Sequence, residues 1–106
     1  MRRSEVRWYE FSYPDKKIPV LILTRDSIIE YLSEVTVAPI TSTIRNIPSE
    51  ILLTKADGMS KDCAVNLDHL QSVSKTKVGD LITTLGSIKM NEVRRAVLFA
   101  LGFDPE

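Results

Sequence analysis

The sequence predicts an α+β domain, mainly β with helices: a small, twisted, partly closed β-barrel carrying a C-terminal helix. Three observations predict it. Short segments rich in β-branched and aromatic residues follow one another, separated by turn signals. One of them, Ile18 to Thr24, is apolar at successive positions, as expected of a strand covered on both faces. Only the last segment changes period, with Met90, Val93, Val97, Ala100 and Leu101 recurring at helical spacing. At 106 residues the chain reads as one domain, 1–106.

Each element has its own cue. Glu5 to Phe11 alternates as a strand, with Val6, Trp8 and Glu10 on one face and Arg7, Tyr9 and Phe11 on the other. Tyr13-Pro14-Asp15 marks a turn. After the apolar second strand, Asp26 is placed to N-cap a short helix, SIIEYL. Val35 to Ile40 returns as a strand, and Pro39 removes one ladder donor, which marks an edge, a bulge or a strand end. Residues 41–48 read as an exposed loop, Glu50 to Leu53 as a fourth strand and Ala56-Asp57-Gly58 as a turn. Ala64 to Asn66 and His69 to Ser74 are two strand pieces or one bent strand, and Leu81 to Leu85 is a short last strand. The helix starts at Ser87 as N-cap candidate and ends at Gly102.

Composition narrows the function. With 14 basic and 14 acidic residues the formal charge is zero, which excludes a uniformly basic nucleic-acid coat but leaves room for a local patch. Cys63 is the only cysteine, so no intrachain disulfide or thiolate metal cage forms, and it is expected as a small buried hydrophobe. One histidine excludes metal sites that need two, and no phosphate-cradling glycine loop, zinc spacing or GxSxG is present. No cofactor is expected. No apolar run approaches the roughly 18 residues of a membrane span, so a cytoplasmic chain with no membrane partner is expected. What remains is hydroxyl-rich and cation-bearing: Lys16 and Lys17, Thr41-Ser42-Thr43 with Arg45, and Asp68-His69. These groups suit a phosphate-rich single strand, with Trp8, Tyr9 or Tyr13 for base stacking. Each also has a structural reading: solvated turn charges, loop hydroxyls bonding their own backbone, and a surface histidine.

The succession EVRWYEF, PVLILTRDS, VTVAPITSTIRNIPSEILLT, DCAVNLDHLQSVSK, ITTL and EVRRAVLFALGF resembles the MazF/PemK type of toxin from bacterial toxin–antitoxin pairs. The likeness runs from about Glu5 to Phe103, with every segment in the family's order. It implies an SH3-like, CcdB/MazF-like barrel that forms a homodimer. It implies a metal-independent endoribonuclease that cuts single-stranded RNA, leaving a 2′,3′-cyclic phosphate and a 5′-OH, and that a cognate antitoxin neutralises. A gyrase-binding toxin of the same fold is the alternative.

By this resemblance Thr41, after VAPI, is the loop threonine that holds a phosphate oxygen, and Ser42 and Arg45 follow it in that loop. Ile47 and Pro48 match the loop lying along the RNA, and His69 the place of a polar RNA-contacting side chain on the late strand, where an imidazole can also move a proton. The family's catalytic arginine directly precedes the proline of its RPVL segment; here that place holds Ile18. Isoleucine neither neutralises charge nor donates a hydrogen bond. Strand parity turns Lys17 away from Ile18's side, while Lys16 shares it. Three explanations compete: a disarming substitution, a degenerate toxin that still binds RNA or antitoxin, or a neighbouring lysine serving as the cation. Ser4 is a smaller departure, standing where the family usually has glycine.

Overall fold

The computed structural model describes residues 1–11 and 16–104, so the expected turn at Tyr13-Pro14-Asp15 lies outside the described residues. Seven strands and two α-helices follow in order: β1 (Glu5–Glu10), β2 (Lys17–Ile22), α1 (Asp26–Ile29), β3 (Glu34–Thr41), β4 (Glu50–Leu53), β5 (Cys63–Asn66), β6 (Gln71–Ser74), β7 (Val78–Thr84) and α2 (Ser87–Leu101). The sheet runs β4-β5-β3-β2-β1-β7, with β6 also paired to β3. Every ladder is antiparallel.

The apolar second strand is central, between β1 and β3, and its Val20, Leu21 and Ile22 are fully buried. Their parity divides them between two cores. Leu21 joins Val6, Leu53 and Leu67 beneath Val93 and Ala96 of α2. Val20 and Ile22 join Tyr9, Val35, Val37 and Ile29 of α1 on the other face. The helical stripe of the last segment is therefore its core-facing side.

Two local expectations are corrected, and one open alternative is decided. Asp26 does not cap α1: it is the first helical residue, Arg25 holds the cap position, and the Asp26 carboxylate instead accepts from the backbone N–H of Arg3 at 2.6 Å. Ser87 does not cap α2 either, because Gly86 occupies that place, with no side-chain cap. The segments 64–66 and 69–74 are two strands rather than one, split by a 3-10 turn at Leu67–His69. That split has a reason. β5 pairs with residues Ile40 and Thr41 of β3, whereas β6 pairs with Glu34 to Val37, so the chain must step along β3 between them.

The serine that departs from the family pattern is strained. Ser4 sits at φ 84°, fixed by Ser4 N–H to the Ile22 carbonyl and by Leu85 N–H to its own carbonyl. A left-handed conformation costs an L-residue about 1–2 kcal/mol, partly offset by the extra unfolded-state entropy of glycine. Ser4→Gly is expected to stabilise the fold by about 0.5–1 kcal/mol, a rise of about 2–8 °C in Tm read by thermal unfolding. An unchanged or lower Tm would show that the strain is relieved elsewhere.

Next along the chain, Glu5 tethers β1. Its carboxylate accepts from Arg7 Nε at 2.8 Å and from the backbone N–H of Arg2 at 3.0 Å, while Arg7 reaches the Gly79 carbonyl of β7. Burial alone would push the Glu5 carboxyl up, but the Arg7 and Arg2 hydrogen bonds outweigh it and hold it below its ordinary 4.5. A lowered carboxyl stabilises the fold fully above its unfolded value, and that contribution is lost as pH falls through the lowered one. The urea midpoints of the natural chain and Glu5→Gln should thus differ at neutral pH and converge in acid, as the pH falls through the lowered carboxyl value. A gap independent of pH would remove the ionic explanation.

Candidate functional site

A groove of about 880 Å³ opens where β2 and β3 part company. Their ladder ends at Val20↔Pro39, and the N–H that Pro39 lacks would face the other edge of β3, between its pairing with β6 and its pairing with β5. On that other edge β3 passes from β6 to β5, with Thr41 opposite Ala64. Two residues further along each strand, Ile18 and Thr41 stand at matching places, with the parity of Val20 and Pro39. Both are half-buried, and both line the groove.

Lys16, Lys17, Ser42, Arg45 and His69 line the same groove. Ile47 and Pro48 do not: they are exposed on the far part of the loop that follows β3. Lys17 is a correction, since parity alone would turn it from Ile18's side. The groove wraps the end of β2, so Trp8 and Pro19 of the opposite parity line it too, and Lys17 enters from that side. His69 is a second correction, for it stands in the 3-10 turn and not on a strand.

The loop after β3 is built, not loose. Thr41 Oγ1 accepts from Thr43 N–H at 3.1 Å, which leaves the hydroxyl hydrogen free to donate. Asn46 takes φ 56°, tolerable for asparagine. The Glu50 carboxylate, only 3% exposed, accepts from the Arg45 backbone N–H at 2.9 Å and pairs with its guanidinium at 3.4 Å. Ser49 Oγ donates to Asp68 at 2.6 Å, joining this loop to the turn that carries His69.

The electrostatics are one-sided. Among the described residues lining the groove there is no Asp or Glu, while Lys16, Lys17, Arg45 and Lys61 supply cations. Among the described residues, Lys16, Lys17 and Lys61 make no ion pair. Cys63 lies beneath, 4% exposed, and burial pushes its thiol up, so it stays a neutral apolar group. Among the described residues, no three His, Cys, Asp or Glu side chains gather to hold a metal ion. Three polar groove residues, Ser60, Lys61 and Asn66, escaped the sequence reading. Lys61 gives no signal, since it arrives through the turn at Gly58. Asn66 does give one, because an asparagine two residues before Asp68 is a capping pattern for the turn.

Over residues 2–101 the chain matches a family described as PemK-like, MazF-like toxin of type II toxin-antitoxin system. The chain belongs to this family. It is 36% identical over 100 residues to the probable endoribonuclease MazF5 of Mycobacterium tuberculosis, covering 93% of this chain and 91% of that protein. The solved toxin MazF-mt6 of M. tuberculosis superposes with a TM-score of 0.87 at 30% identity, over 95% of this chain and 99% of that one. A mycobacterial endoribonuclease solved with its cognate antitoxin gives 0.89 at 24% identity, over 100% and 99% of the two chains, and supports the fold. The curled, mostly stranded sheet with a C-terminal helix is thus the MazF fold, and the groove at Ile18 and Thr41 lies on a MazF-like framework.

Proposed function

We propose that this MazF-like chain is an endoribonuclease that cuts single-stranded RNA without a metal and is neutralised by a cognate antitoxin. The observation that carries the reading is the juxtaposition of position 18 and Thr41 in a cationic groove free of lining carboxylates among the described residues. A 2′-oxygen attacks the adjacent phosphorus as the P–O5′ bond breaks, giving a 2′,3′-cyclic phosphate and a 5′-OH. The 2′-OH proton passes to solvent, and the leaving 5′-oxygen takes one up. Thr41 Oγ–H and the lysines hold the phosphate oxygens, and Trp8, 40% exposed at the groove's edge, offers a stacking face.

The test is incubation of a mixed long-RNA pool with a chelator, mapping any new ends. Cleavage leaving cyclic-phosphate ends supports the reading. An intact pool after treatment with both the natural chain and Ile18→Arg would end it. One observation favours a second reading, an RNA- or antitoxin-binding homologue without cleavage: Ile18 packs against the second core and brings no charge to the groove. Under either reading the active form is a homodimer. The exposed Ile88 and Leu32, beside a second groove between α2 and the sheet, offer apolar surface for it.

A further inference from the structure

Asn66 is 6% exposed, at the end of β5, and both ends of its amide are engaged. Its Oδ1 accepts from the backbone N–H of Asp68 at 3.0 Å, capping the 3-10 turn. Its Nδ2 lies 3.1 Å from Nδ1 of His69. An amide nitrogen can only donate, so His69 Nδ1 must be the acceptor. Turning the amide over would set the NH2 against the Asp68 N–H, donor against donor, and leave the turn uncapped. Asp68 is itself held by Ser49, so it cannot easily yield. The neutral imidazole therefore carries its hydrogen on Nε2, the nitrogen left for the groove that His69 lines.

We propose that Asn66 is a positioning residue that locks His69 in its Nε2–H tautomer, so that the imidazole offers RNA a fixed hydrogen-bond donor and not a base. In this tautomer the Nε2 lone pair is absent and the Nδ1 lone pair is occupied, so taking a proton from a 2′-OH would first break the Asn66 contact. The donor instead meets a non-bridging oxygen of the scissile phosphate, whose charge grows as the phosphorane forms. This last step rests on the ribonuclease reading; the tautomer does not.

The chain has one histidine, so a long-range 1H–15N correlation spectrum of its imidazole is unambiguous. At neutral pH the expected result is a protonated, pyrrole-type Nε2 and a pyridine-type Nδ1 in the RNA-free protein. Asn66→Asp, which replaces the donor with an acceptor of the same shape, should invert the two signals. A protonated Nδ1 in the natural chain overturns the assignment, as does a folded Asn66→Asp with its tautomer unchanged. On the Ile18→Arg background Asn66→Asp should lower kcat about 10²-fold with KM within a few-fold. His69→Gln, which keeps an N–H, should retain more activity than His69→Ala. An inverted tautomer with undiminished kcat overturns the donor role. If no variant cuts RNA, the donor role falls with the ribonuclease reading, and the spectrum decides the tautomer alone.

Discussion

Ile18→Arg is expected to speed RNA cleavage by about 10²–10³, the usual worth of one well-placed donor to a crowded transition-state oxyanion. The position favours the gain. Ile18 is half-buried against the core of Tyr9, Val20 and Val78, and its strand is pinned through Tyr9↔Ile18 and Trp8↔Pro19. An arginine stem covers the same apolar surface while its head reaches water, so the fold should lose only about 1 kcal/mol. The guanidinium would then stand on the face shared with Thr41, with two parallel N–H groups for a phosphate. Ile18→Lys should recover less, because an ammonium lacks that fork. Removing the Thr41 hydroxyl, as Thr41→Val on the arginine background, should cancel most of the gain. Initial rates on one defined RNA, with folding checked by circular dichroism, read all three. A folded arginine variant no faster than the natural chain would mean that position 18 is not where charge is wanted.

Gly58→Ala carries the largest expected loss of stability. Gly58 caps the 3-10 turn Lys55–Asp57 at φ 95°, and a methyl there would lie 2.7 Å from the Thr83 side-chain Cβ. Thr83 cannot swing away freely, since its hydroxyl donates to the Asp57 carbonyl at 2.9 Å. Backbone strain and overpacking together amount to about 3 kcal/mol or more, a fall of about 10–20 °C in Tm. The damage should not stop at stability. Gly58, Met59, Ser60 and Lys61 form one wall of the groove, so RNA affinity should weaken as well. Adding Thr83→Gly removes that Cβ, and with it the clash, but not the positive φ, so a double-mutant cycle should return a coupling of about 1–2 kcal/mol. Additive losses from the two changes would mean that the side chains never meet.

How far the sequence foretold this molecule depends on the range of the forces involved. β2 was legible because burial on two faces leaves no polar residue from Ile18 to Ile22, and α2 because one face must meet the sheet. Gly102, at φ 77°, ended the helix as expected, since that cap asks for a residue without Cβ. Asp26 and Ser87 misled because a capping side chain is only a local preference. Asp26 found a distant partner in Arg3, and Gly86 already had the extended backbone a cap requires. The groove's composition was legible through family likeness, which supplied Ile18 and Thr41 as a pair. Its geometry was not. That Lys17 shares the groove, that Lys61 arrives from a remote turn, and that Glu50 restrains Arg45 all follow from where β3 changes partners. No window of sequence displays that exchange, except for the missing N–H of Pro39.

The ladder between β1 and β7 has a consequence in time. These two strands come from opposite ends of the chain, with Glu5 beside Thr84, and Ile82 of β7 is itself part of the groove wall. A growing polypeptide therefore carries β1 with one bare edge until β7 has been made, and a product cut short before β7 has no finished groove wall. Synthesis itself thus sets an order of events, in which the groove wall is completed only when β7 closes on β1.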